Sequence, residues 1–197
     1  MKTSFERFAG WGAVLAGLSG FLYSISFIVL RNELDSALFL MLGGLFSTSA
    51  LTALYQRLRE TEGGFALLGL LLSLSGVLGA AIHGGYDLAN AIHPPTTSTS
   101  GPNPVDPRGL LTFGLSGLGL FLLSWLLSQD TRFPRGLAYL GYLSAVLMIL
   151  LYLGRLIIVE ATNLAIVVPA LLEGFIVNPI WYFWLGLNFM RSQSPPK

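Results

Sequence analysis

The residues able to do chemistry in this chain are few, and most of them lie inside long apolar runs. Helical spacing sets His83, Tyr86, Asp87 and Asn90 at i, i+3, i+4 and i+7, one stripe of one helix, with His83 and Asp87 in hydrogen-bonding reach of each other. Glu173 stands among Ala170, Leu171, Leu172, Phe175 and Ile176. An ionisable group in hydrocarbon costs about 2.5–3.5 kcal/mol on insertion scales, so it generally faces the protein interior and is paired there. Arg155 is the cation best placed to meet Glu173; unpaired, the carboxyl becomes a candidate proton carrier. Glu160 and the Asn178-Pro179 step complete the set, the proline lacking a backbone N–H and disturbing the carbonyl of Phe175. His83, Tyr86, Asp87, Arg155, Glu160, Glu173 and Asn178 therefore form a candidate polar pocket.

The same residues limit the chemistry. His83 and His93 are the only histidines, and ten residues of helix separate them by about 15 Å, too far for both to ligate one haem iron. A zinc site built on His83 and Asp87 lacks an evident third ligand beyond Glu160 or Glu173. Phosphate loops, nucleophile elbows and HExxH helices are absent, and the lack of Cys removes thiolate and disulfide chemistry. No metal and no catalytic residue is expected. A lipid, quinone or pigment is the kind of ligand such a pocket would admit, and a non-enzymatic role is favoured over an enzymatic one. A net charge of +1, with Lys and Arg dispersed among the loops, excludes a nucleic-acid surface.

The elements that must position these groups are membrane spans. Of 197 residues, 53% are hydrophobic and 11% charged, which leaves no room for a separate soluble domain. Six apolar runs, near 8–30, 36–55, 65–89, 110–127, 137–158 and 165–190, each approach the roughly 20 residues that cross a bilayer as a helix. The first run is longer than a signal-peptide core and is read as a span. The expected fold is all-α, a single six-helix transmembrane domain. Lys2, Arg7, Arg57, Arg59, Arg132, Arg135, Arg191 and Lys197 fall on one side, against Arg31, Arg108 and Arg155 on the other. The positive-inside rule then puts both termini in the cytoplasm and the Pro- and Thr-rich loop 94–108 outside.

Small residues govern the expected packing. Gly76, Ala80 and Gly84 recur every four residues on one face of the third span, with Ala16 and Gly20 a shorter version on the first, and such spacing lets helix backbones approach closely. Bundle packing is the first use for that face and a homodimer the second. The starts of the odd-numbered spans, Phe8-Ala9-Gly10, Phe65-Ala66-Leu67-Leu68-Gly69 and Leu137-Ala138-Tyr139-Leu140-Gly141, are compatible with three related hairpins.

The segment from Arg132-Phe133-Pro134-Arg135 to Tyr142, and Gly174 to Gly186 with its Pro179-Ile180-Trp181-Tyr182-Phe183-Trp184-Leu185-Gly186 ending, resemble the fifth and sixth helices of a bacterial family of six-helix integral membrane proteins of unassigned function. The resemblance covers about the last third of the chain. It implies a prokaryotic cytoplasmic (inner) membrane and carries no catalytic residue to transfer. The expected role is an accessory or structural subunit of a larger membrane complex, contacting lipids and either other membrane subunits or itself. Binding of a small amphiphile in an outer-leaflet pocket, or proton-coupled transport, are the alternatives.

Overall fold

Six helices account for nearly all of the computed structural model, which describes residues 4–94, 109–158, 160 and 162–191. They are α1 (Ser4–Leu30), α2 (Glu33–Leu58), α3 (Gly63–Ile92), α4 (Leu110–Gln129), α5 (Arg135–Ile157) and α6 (Leu164–Met190), each long and apolar enough to cross a membrane. The chain is an all-α, multi-pass integral membrane protein. Within hydrocarbon every backbone group must be satisfied inside its own segment, which is why the apolar runs become helices throughout. Polar residues set the ends: Asn32 accepts from the Asp35 amide to start α2, Asn163 accepts from the Ala165 amide to start α6, and Pro134 in extended conformation precedes α5. The loop expected at 94–108 lies outside the described residues apart from Pro94.

The helices alternate in direction and follow one another around a closed ring, each packed on its neighbours in the chain and α6 returning to α1. The start of α1, the end of α6 and the α2–α3 and α4–α5 turns share one face, here the terminal face. The opposite loop face carries the α1–α2 and α5–α6 turns.

Glycines set the closest approaches. A Cβ on Gly84 would sit 2.5 Å from the Met41 amide nitrogen of α2, and one on Gly76 would sit 2.6 Å from the Ser116 amide nitrogen of α4. The Gly76–Ala80–Gly84 stripe thus serves two neighbours inside the bundle, α4 at one end and α2 at the other, because a helix face wide enough to hold three small residues spans both contacts. Gly10 and Gly186 bring α1 and α6 together in the same way.

Near the terminal face the ring is filled. Leu54, Leu58, Leu123, Leu126, Leu137, Leu185 and Phe189 are completely shielded there. A charged network closes this end: Arg57 pairs with Glu6 at 2.9 Å, and its guanidinium lies 5.6 Å and 5.3 Å from the ring centres of Phe133 and Phe189. Arg132 bonds both oxygens of the buried Asp130, reaches Glu60, and donates to the Arg57 carbonyl at 2.6 Å. Its hydrogen bonds to Asp130 raise the Arg132 pKa above the usual arginine value.

Candidate functional site

Beyond Leu51 and Leu120 the ring stops being filled, and all six helices line a cavity of about 540 Å³. Its size falls in the range of about 300–1,000 Å³ usual for small-molecule sites. Three of the helices widen locally along its lining. Ile25–Leu30 in α1, Leu110–Gly114 in α4 and Glu173–Val177 in α6 are π-helical turns, and each contributes cavity-lining residues. Such turns admit an extra residue and re-aim the side chains around them. In α6 the wide turn is framed by Pro169 and Pro179, each lacking an N–H for the regular ladder.

The re-aimed side chain is Glu173, whose residue surface is only 4% exposed. Ser144 of α5 donates to its Oε1 at 2.6 Å, and the Asn178 amide reaches the same oxygen at 3.4 Å. Oε2 has no partner within the protein. The expected ion pair with Arg155 is not formed, and Ser144 with Asn178 stands in its place. Arg155 lines the same cavity, one turn from the end of α5, where its long side chain belongs to the opening instead of the depth.

Around Glu173 lies a belt of hydroxyls that arguments from ionisable groups had not singled out. Ser24, Ser47, Ser73, Ser116 and Ser144, one from each of α1 to α5, are all buried and all line the cavity. Ser24 and Ser47 return their hydroxyls to the backbone carbonyls of Gly20 and Gly43. The Ser73 hydroxyl has no partner, and neither has the indole N–H of Trp181, which closes the floor beside Tyr182. The signal in the sequence is a serine in each of the first five spans. It is hard to read because α1 to α4 carry other serines as well, and a serine can equally face its own helix or a neighbour.

Toward the loop face the cavity meets a second recess, and the residues common to the two form its neck. Arg31, His83 and Arg155 line both the cavity and a recess beyond it, which also carries Glu33, Asp87 and Asn90. His83 Nε2 and Asp87 Oδ2 are 2.8 Å apart, the i, i+4 contact that the stripe on α3 suggested. Arg31 holds its backbone in the left-handed region (φ 52°), alone among described residues other than glycine. That conformation costs a side-chain-bearing residue about 1–2 kcal/mol.

Of the seven pocket residues expected, His83, Arg155, Glu173 and Asn178 meet at the cavity and Asp87 joins them at the recess. Tyr86 is 63% exposed on the outside of α3, and Glu160 is exposed in the α5–α6 turn, accepting from Thr162. Neither lines the cavity, because the α3 stripe rotates away from the ring's centre at Tyr86 and Glu160 lies past the end of α5.

Fold and site together define a six-helix membrane protein with a blind polar-floored chamber. Comparison of the chain with protein-family models, with curated proteins and with solved structures finds no match.

Proposed function

We propose that this protein binds a small amphiphilic molecule in the chamber between its six helices. The observation that carries the reading is one cavity of about 540 Å³ lined by every helix, with aromatic and aliphatic walls and a few convergent polar groups. That combination is the general character of a small-molecule site. The excess of Lys and Arg near the terminal face supports an orientation with both termini in the cytoplasm, which puts the neck at the outer leaflet of a prokaryotic cytoplasmic membrane.

An accessory-subunit role has less support. Gly76 and Gly84, which offered the best seat for a partner helix, are occupied by α4 and α2 of the same chain. Proton-coupled transport is also less well supported, since the filled terminal half leaves the chamber without a polar route onward.

Native mass spectrometry of the protein released from lipid nanodiscs tests the reading. A bound molecule of reproducible mass is expected on the wild type and should be lost in Ala80→Phe, which fills the chamber from α3. A bare chain in both, or retention of the same mass in the filled variant, would sink it.

A further inference from the structure

We propose that the chamber takes its ligand head first, and that the head is a neutral hydroxyl-bearing group received by Glu173, as in a single-chain alcohol or monoacylglycerol. The inference rests on the amphiphile-binding reading above and specifies the chemistry of its ligand.

Glu173 lines the chamber, is more than nine-tenths buried, and its Oε2 has no protein partner; the unpartnered Ser73 hydroxyl and Trp181 indole N–H lie instead against Gly119 and Gly141, in contacts between helices. Buried polar groups are normally hydrogen-bonded, and an exception asks for an absent partner. A carboxylate oxygen only accepts, whereas a protonated carboxyl also donates. A ligand hydroxyl does both, so it can meet Oε2 in either protonation state of Glu173. Oε1 is already taken up by Ser144 and Asn178, which hold the carboxyl in place and leave Oε2 for the ligand.

Charge along the route selects the head. The neck and the recess beyond it carry both signs, Arg31 and Arg155 with Glu33 and Asp87, so a charged head of either sign finds a countercharge at the loop-face end before it reaches Glu173. A neutral head passes. Behind it the apolar chain lies between Phe39, Phe113, Met148, Leu151 and Ile166, walls that match hydrocarbon.

Photocrosslinking of the full chain in nanodiscs tests this, using two monoacylglycerols of equal length, one with a diazirine next to the glycerol and one with it at the end of the chain. The head-proximal probe is expected to label 144–148 and 174–182, and the chain-end probe to label 27–31 and 151–155. Glu173→Ala should lower head-proximal labelling of the floor at least tenfold while leaving labelling of lipid-exposed Phe8 and Trp11 unchanged. If that variant does not fold, the wild-type maps alone decide. Reversed maps, with the chain end at the floor, overturn the head-first proposal and leave the chamber reading standing. Equal competition by a carboxylate- or trimethylammonium-headed analogue overturns the neutral head. Labelling confined to the lipid-facing surface overturns both readings.

Discussion

From the terminal face to Leu51 and Leu120, the six helices are filled with Leu, Phe and Ala side chains and closed by the Glu6–Arg57 and Asp130–Arg132 pairs; from Ser47 and Ser144 toward the loop face, the same six helices part around the chamber. All three π-turns found among the described residues contribute to the chamber lining. Unbroken helix packs against unbroken helix in the filled half, where ridges and small-residue gaps repeat in step. In the hollow half neighbouring helices still touch, as at Gly84 with Met41 and Gly79 with Leu111, while the wide turns contribute lining to a centre that stays open. Lipid gives no hydrophobic drive for helices to associate, so cohesion comes from close contact where it exists. The filled half therefore adds a packed centre to the contacts between neighbouring helices, and the hollow half keeps those contacts around an open one.

Truncation gives the sharpest test of that division. Leu54→Ala and Leu185→Ala, at fully shielded positions, are each expected to cost about 2–5 kcal/mol, because the packed surroundings cannot collapse into the space. Met148→Ala, on the chamber wall, removes atoms that already face open volume and should cost less than about 1 kcal/mol. Unfolding in a fixed detergent compares the three, and equal losses would erase the distinction between halves.

Next in size is the seal. Arg132→Ala leaves Asp130, whose side chain is only 4% exposed, without its guanidinium, and a loss of about 3 kcal/mol is expected in the same assay. An unchanged stability would show that the terminal face is held by side-chain packing alone. Gly76→Ala then probes the helix contact at the boundary: the new methyl lands on Ser116 backbone and should destabilise by about 1–3 kcal/mol. Gly64→Ala, with open space around it, is the matched control. The smallest effect belongs to the neck. Arg31→Gly relieves the left-handed strain and is expected to raise stability by about 1 kcal/mol while weakening retention of an anionic head there. A loss of stability would mean that Arg31 contributes more through its side chain than its backbone conformation costs.

The spans were legible because the bilayer imposes their length, and the expected ends differ from the observed ones by two to four residues in most places. The differences arise where polar residues continue the helix past the apolar run, as Glu33 and Asp35 do at the start of α2 under the Asn32 cap. Glu173 was legible as an anomaly, since a carboxyl in that run has to be accounted for, yet Ser144 as its partner was not. Ser144 is 29 residues away on another helix, and nothing in its local sequence separates it from a serine bonded to its own backbone. Tyr86 shows the opposite failure: the stripe with His83 and Asp87 is real, but a stripe of about a quarter turn straddles the boundary between chamber and exterior.

By itself the sequence determined that this is a six-span, all-helical membrane protein with an acid in its interior, because hydrocarbon penalises unsatisfied backbone and unpaired charge residue by residue, wherever the helices end up. Only the tertiary structure decided which faces look inward. Lipid-facing and core-facing side chains are equally apolar, so amphipathic periodicity is nearly silent in these helices. The closure of the ring, the split between filled and hollow halves, and the meeting of Ser144 with Glu173 emerged only when the six helices packed against one another.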